Sequence, residues 1–351
     1  MKKILKALGI LLLVVLLAVA ALILWLTVTE YKPAPLETMA VSAPEGLAAV
    51  DPGEELQVLS WNIGYGGLGA GSDFFMDGGK DVRSADKEQV LAYLDGIKAS
   101  IQTLNPDVVM LQEVDVDSGR TYRIDQSAYL ALDASVHAKN YACAFVPYPL
   151  PPLGRIYSGV FTTTQGLAID AAERISLPCP FQWPVRTANI KRCLLASYLP
   201  IEGSDKQLVM VNLHLEAYDS GEGKIAQTKM LKDFIEGEYA KGNYVIAGGD
   251  FNQIFPGGLE AFPNTHQEFW TPGLLEADML SDGWHFACDL SVPSCRLLNQ
   301  PYDPADTENT QYYVIDGFIL SPNVELLTVE GVDLDFANSD HNPVLISVNL
   351  K

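Results

Sequence analysis

Six short polar motifs stand in order along this chain, and each carries residue types suited to phosphate chemistry. They are Trp61-Asn62-Ile63-Gly64, Leu111-Gln112-Glu113-Val114-Asp115, Asn212-Leu213-His214-Leu215, Gly249-Asp250-Phe251-Asn252, Ile315-Asp316-Gly317-Phe318 and Ser339-Asp340-His341-Asn342. Oxygens of Asn, Asp and Glu suit a hard divalent cation, and a His beside an Asp suits proton transfer and charge stabilisation. A phosphate ester resists attack because its oxygens are already negative. A cation that neutralises them removes that obstacle. One such tripeptide means little, but the ordered set predicts metal-assisted hydrolysis of a phosphate ester.

Each motif ends an apolar, strand-like run, where a rigid scaffold can aim side chains into a shared cleft. Residues 56–60 alternate apolar and polar and read as a first strand. From Asp86 a helix is expected, with Val90, Leu94, Ile97, Ile101 and Leu104 on one face and Asn105-Pro106 as its stop. Residues 107–111 then form a buried strand that delivers Glu113. Further strands are expected at 208–215, 244–247, 312–320 and 344–350, and a second helix at 224–239 closed by Lys241-Gly242. Segments 166–177 and 193–211 read as antiparallel neighbours. Two packed sheets with outer helices fit this order better than a purely parallel wound sheet.

The chain has 351 residues, 48% of them hydrophobic, which excludes disorder of the whole and allows a large core. Its formal net charge of −21 repels polyanions at long range, although proposed metal ligands contribute to that figure. None of the five cysteines lies in a CxxC or Cys/His cluster, which argues against zinc. Cys288 and Cys295 could pair in an oxidising compartment.

Lys2, Lys3 and Lys6 precede an uncharged run over residues 7–29. That run is long enough for a bilayer core, which needs about 20 apolar residues, and exceeds an ordinary signal-peptide core. Trp25 and Tyr31 sit near its outer end, where aromatics favour the interface. The lysines should stay cytoplasmic, which predicts a single-pass anchor with an extracytoplasmic body; a cleaved signal with a long core is the alternative. Residues 30–54, rich in Pro, Ala, Glu and Gly without periodicity, read as a linker. The expected organisation is an anchor over 1–29, a linker over 30–54 and a catalytic domain over 55–351.

The motifs resemble those of the endonuclease/exonuclease/phosphatase superfamily, the group of deoxyribonuclease I, apurinic endonucleases, neutral sphingomyelinases and inositol polyphosphate 5-phosphatases. The resemblance covers roughly 55–351. It implies a four-layer α/β sandwich of two packed mixed sheets flanked by helices, the active site at one edge, and Mg²⁺-dependent hydrolysis, with Mn²⁺ as a possible substitute.

Carried over residue by residue, the resemblance assigns Glu113, Asn62 and Asp340 to the metal. His341 would donate to the scissile phosphate, and Asp316 would hold and charge that histidine. Asp250 would orient or deprotonate the attacking water, and Asn252 would hold a phosphate oxygen. His214 matches the branch in which a histidine assists the leaving oxygen, a residue apurinic endonucleases lack there. Tyr157, in Tyr157-Ser158-Gly159-Val160, resembles a loop tyrosine near the phosphate, although the Ser-Arg usual just downstream is replaced by Thr163-Thr164. Arg120 and Arg123 could meet a phosphate or cap their loop. His137, His266 and His285 match nothing and read as structural or surface residues. Phe262, Trp270 and Trp284 could contact a lipid or sugar, or simply pack their loops.

The expected function is therefore a membrane-anchored, monomeric Mg²⁺-dependent phosphoesterase acting on a phospholipid head group or small phosphodiester rather than on nucleic acid. A surface or secreted nuclease is the alternative, because the same residues serve both. A non-catalytic binding protein is disfavoured by the intact polar set.

Overall fold

The computed structural model describes residues 1–83, 86–149, 151–219, 221–306 and 308–351. Helix α1 (Lys2–Val28) leads to a short strand β1 (Leu36–Thr38). The chain then runs through β2 (Leu56–Asn62), α2 (Lys87–Leu104), β3 (Val108–Asp115), α3 (Gln126–Leu130), β4 (Ala134–Val146) and β5 (Gly154–Thr164). Next come β6 (Ala171–Ser176), β7 (Cys193–Pro200), β8 (Gln207–His214), α4 (Glu222–Ala240) and β9 (Tyr244–Asp250). Short pieces follow: β10 (Gln253–Ile254), α5 (Gly258–Ala261), β11 (Gly273–Leu274), β12 (His285–Ala287), β13 (Cys295–Arg296) and β14 (Tyr312–Tyr313). The last strands are β15 (Asp316–Leu320), β16 (Val324–Gly331) and β17 (Val344–Leu350).

Two mixed sheets result, in the orders β1-β6-β7-β8-β9-β15-β12 and β16-β17-β2-β3-β5-β4. Their inner faces share one core, in which Val58, Met110 and Val160 of one sheet meet Leu195, Met210, Ile246 and Phe318 of the other. Helix α2 lays Val90, Leu94, Ile97 and Ile101 on the outer face of β2 and β3, the stripe its spacing predicts. Asp86 caps it by accepting from the Gln89 N–H at 2.9 Å, and Asn105 ends it in a left-handed conformation. Helix α4 covers the other sheet with Leu231 and Ile235. The molecule is thus the expected four-layer α/β/β/α sandwich, with an apolar helix at its amino terminus.

Three expectations are changed. Residues 30–54 do not hang free: β1 pairs antiparallel with β6, Ser42 bridges Ser135, and Val50 lies in the core. Periodicity missed this because an edge strand of three residues is too short to show alternation. The run 312–320 breaks into β14 and β15, which pair with different partners. All five cysteines are free, and Cys295 is buried in a bridge with His341 rather than joined to Cys288.

One buried amide clamps the two sheets where the site begins. Asn212, wholly buried on β8, donates to the carbonyls of Leu111 at 3.1 Å and Phe161 at 2.9 Å, and accepts from Gln112 at 2.9 Å. Leu111 is the last regular pair before a bulge in β3, so the amide serves backbone beside an interrupted ladder. Within that bulge Glu113 has φ 58°, and its side chain turns into the cavity between the sheets. Asn212→Ala should therefore cost about 2 kcal/mol or more, because it leaves buried groups unpaired. A lowered melting temperature, measured by calorimetry, is the expected result.

Candidate metal and phosphate site

Strand register sets the first row of the site. His214 on β8 stands beside Asp250 on β9, and Asp250 beside Asp316 on β15. These three strand ends belong to one sheet, and Asn62 and Glu113 arrive from β2 and β3 of the other. Close approach of β9 to β8 depends on Gly249, where a Cβ would meet the Leu213 carbonyl oxygen at 2.0 Å. The segment carrying Asp340 and His341 is fastened to β2 from both sides. Ser339 Oγ donates to the Asn62 carbonyl, and the Trp61 indole donates to the His341 carbonyl, each at 2.8 Å.

Around that frame the polar side chains meet. His341 Nδ1 lies 2.8 Å from Asp316 Oδ2, which also accepts from Ser294 Oγ at 2.8 Å. Asp250 Oδ2 lies 3.0 Å from Asn62 Nδ2, 3.4 Å from His214 Nε2 and 4.0 Å from His341 Nε2. The Asn252 N–H donates to Asp250 Oδ1 at 2.8 Å, and its side-chain amide donates to the Leu215 carbonyl at 2.9 Å. Glu113 Oε1 lies 3.5 Å from Asn62 Nδ2, and His341 Nε2 lies 3.9 Å from Asp340 Oδ2.

Burial and mutual repulsion set the charge states. Burial raises the Glu113 pKa against the pull of Arg120, with Asp340 adding to the rise. Asp340 is raised by burial against the pull of His341. Asp250 is raised by burial and then by the charge of Asp316. Burial alone would discharge His341, but Asp316, Cys295 and Asp340 together hold its pKa well above the ordinary value. His214 goes the other way: burial, then Arg192 and His341, lower it well below that value. The two imidazoles, both within 4.0 Å of Asp250 Oδ2, are thus pushed in opposite directions.

This donor set fits a divalent cation. Four carboxyl groups, Glu113, Asp250, Asp316 and Asp340, crowd a single protonated histidine, and Asp316 Oδ1 is buried without a hydrogen-bond partner. Among the described residues, Asp250, Asp316 and His341 bring ligating atoms within 4.8 Å of one another. That trio is drawn together by the His341–Asp316 bond, which occupies His341 Nδ1. Glu113 and Asp340 are the better candidates for cation ligands, since the repulsion between their like negative charges is what a cation would relieve.

The structure gathers nearly all of the expected residues and moves some of their contacts. Asn62, Glu113, His214, Asp250, Asn252, Asp340 and His341 line one cavity of about 320 Å³, and Asp316 stands behind His341. Tyr157 lies apart from them: alternation along β5 turns Ile156 and Ser158 into the cavity, and the Tyr157 ring lies under Arg155 at 4.5 Å. Asn62 does not present its oxygen to the acids. That oxygen accepts the Gly64 N–H at 3.0 Å, so the NH₂ group faces Asp250. Arg120 joins the wall while held by Asp115 at 2.9 Å and stacked 3.6 Å over Tyr65; Arg123 stays exposed near Asp117. Of the aromatic trio, Trp270 lines the cavity, whereas Trp284 packs on Tyr239 and Phe262 on Tyr312. His137 bonds the Val114 carbonyl, and His266 sits between Glu268 and the Glu308 carbonyl.

Sequence reasoning missed Arg192, Ser294, Asp77 and Tyr218, which lie outside every motif. Arg192 is buried beside Glu216 at 3.7 Å and lines the cavity. Asp77 accepts from the Tyr218 hydroxyl at 2.9 Å across the cavity wall, and burial pushes its carboxyl up to about 7. Because that pKa is raised on folding, the carboxyl destabilises the fold progressively as pH climbs from the unfolded value near 4 to about 7. Asp77→Asn keeps an acceptor for Tyr218 and removes the charge. Its melting temperature should match the parent near pH 4 and exceed it by a few degrees at pH 8. Thermal melts of the metal-free protein at both pH values check this.

The sequence profile of the Endonuclease/Exonuclease/phosphatase family matches residues 59–341. No curated protein is similar enough in sequence to match the chain. Among solved structures, an endonuclease/exonuclease/phosphatase from Beutenbergia cavernae superposes with a TM-score of 0.56 at 17% identity, over 84% of this chain and 72% of that one. One from Bacteroides vulgatus gives 0.51 at 14%, over 85% and 100%. D. rerio TDP2 complexed with single strand DNA product gives 0.51 at 16%, over 84% and 99%. At these identities the structures share the fold. The family profile spans most of the chain and runs from β2 to His341, so this protein belongs to the endonuclease/exonuclease/phosphatase family of metal-dependent phosphoester hydrolases.

Proposed function

We propose that this protein hydrolyses a phosphate ester at a membrane, a lipid head group or a small phosphodiester, in a site that takes Mg²⁺ or Mn²⁺. One observation carries the reading: His341, bonded to Asp316, faces Asp250 and the Glu113–Asp340 acids in a single cavity. Glu113 and Asp340 would hold the cation, which when bound neutralises phosphate oxygens and the charge developing on the leaving group. His341 Nε2–H is free of Asp316 and donates to a non-bridging phosphate oxygen. Asp250, fixed by Asn62 and the Asn252 N–H, orients the attacking water and accepts its proton. The water oxygen bonds to phosphorus, one P–O ester bond breaks, and the departing alkoxide takes up a proton to leave as the alcohol. His214, 3.4 Å from Asp250, would pass that proton. Helix α1, 27 residues long and without a charge after Lys6, supports anchoring of the body at a membrane.

A nuclease remains the second reading, favoured by the likeness in fold to a TDP2 seen with a single-stranded DNA product. The net charge of −21 weighs against a long polyanion.

Two substitutions separate the roles. Glu113→Gln removes a charge that a hard cation favours, so turnover of bis-p-nitrophenyl phosphate should recover in part as Mg²⁺ is raised. His341→Ala removes a donor aimed at the transition state, a loss of roughly 2.7–4 kcal/mol if it acts like an oxyanion-hole group. No Mg²⁺ concentration should restore it. Rate against Mg²⁺ for both variants is the measurement, and metal rescue of His341→Ala but not of Glu113→Gln would reverse the assignment.

A further inference from the structure

The uncharged run of α1 ends where the helix meets the body. Residues 1–21 are all exposed, and from Leu22 onward the helix turns a stripe of Leu22, Ile23, Leu26 and Thr27 toward the body. A hydrocarbon core of roughly 30 Å takes about 20 residues at about 1.5 Å each. Counted from the first residue after Lys6, that span ends near Leu26. The seat of α1 therefore lies at the last turn of the span, beside the boundary between hydrocarbon and head groups.

That seat is also a wall of the catalytic cavity. Leu22 and Leu26 pack on Tyr141, Cys143, Val146, Leu153, Ile156 and Ala188. Tyr141, Leu153 and Ile156 of that group line the cavity that holds Glu113 and His341. Two loops beside the seat expose apolar side chains: Tyr148 at the cavity rim, and Trp183 and Val185, 56% and 52% exposed. The Trp183 indole donates to Thr27 Oγ1 at 3.0 Å, which ties its loop to the end of α1. Amphipathic aromatics at that level favour the interface.

Charge points the same way. On a chain of net charge −21, a second cavity at the end of α1 is lined by Lys32, Arg186, Lys191 and Arg192 around the single acid Glu30. It shares Phe181 and Arg192 with the catalytic cavity. A basic patch at head-group depth attracts anionic phosphate groups of lipids.

We infer that the substrate is a phosphodiester lipid taken from the membrane that α1 itself spans, presented through the seat of α1 with Trp183 and Val185 in the interface. The inference rests on the phosphoesterase reading above. Water attacks the lipid phosphorus, one P–O ester bond breaks, and the alcohol released keeps the proton, so no further reactant is needed.

The test uses the full chain in phosphatidylcholine vesicles containing phosphatidylglycerol, with Mg²⁺. Head-group release is measured from lipid in the same vesicles and from lipid in separate, protein-free vesicles. Bis-p-nitrophenyl phosphate and single-stranded DNA serve as soluble substrates. Lipid in the same membrane should be hydrolysed at least about tenfold faster than lipid in separate vesicles. Trp183→Ser/Val185→Ser should lower the lipid rate about tenfold, the equivalent of losing partial burial of two apolar side chains, and leave the soluble diester rate unchanged. Should the double variant lose the soluble rate through misfolding, Val185→Ser alone is read by the same ratio. Hydrolysis of the soluble diester with no lipid turnover, equal rates on both vesicle populations, or preference for DNA would overturn the inference and leave the phosphoesterase reading standing. No turnover of any diester would overturn both.

Discussion

The site depends on one buried amide. Asn212 reaches from β8 across the sandwich to the carbonyls of Leu111 and Phe161, beside the bulge at which β3 leaves its regular pairing. Without that bulge, alternation along β3 would continue and Glu113 would follow the pleat. With it, Glu113 takes a left-handed backbone conformation and its carboxyl enters the cavity. The same contact fixes the two sheets against one another, so Asn62 from one sheet meets Asp250 from the other at 3.0 Å. A polar residue in an apolar core is costly unless satisfied, and here satisfying it sets the register on which the chemistry relies.

The acids gathered by this frame oppose folding. Glu113, Asp250, Asp340 and Asp77 all have carboxyl groups raised by burial, and each would be more comfortable in water. The core of Val58, Met110, Leu195, Ile246 and Phe318 beneath them supplies the opposing apolar burial. Strain concentrated at a few positions on a well-packed scaffold is what a functional site looks like. His341 and His214 show how finely placement acts. They are the same residue type in the same cavity, yet Asp316 charges one while burial and Arg192 keep the other neutral.

Much of this was legible in the sequence because strand ends are marked by motifs with strong local character. The stripe of α2, its Asp86 cap and its Asn105-Pro106 stop are local features, and they appear where the spacing placed them. The gathering of Asn62, Glu113, Asp250, Asp340 and His341 was legible through their motifs. Tyr157 was not, because a loop motif does not reveal which face of β5 a side chain takes, and the alternation selects Ser158. Asp77, Tyr218, Arg192 and Ser294 lack any local signature, and only the folded chain brings them to the cavity. Residues 30–54 looked like a linker because their pairing partners lie far along the chain, in β6 and near Leu167 and Ile201.

The two sheets converge to build one phosphate site made for a cation. Its most direct test is a crystal of the protein grown with Mn²⁺, examined by anomalous diffraction at the manganese edge. A strong peak should contact the carboxylates of Glu113 and Asp340, within the cavity shared with Asp250 and His341. A peak bound elsewhere, with none between those two acids, would contradict it.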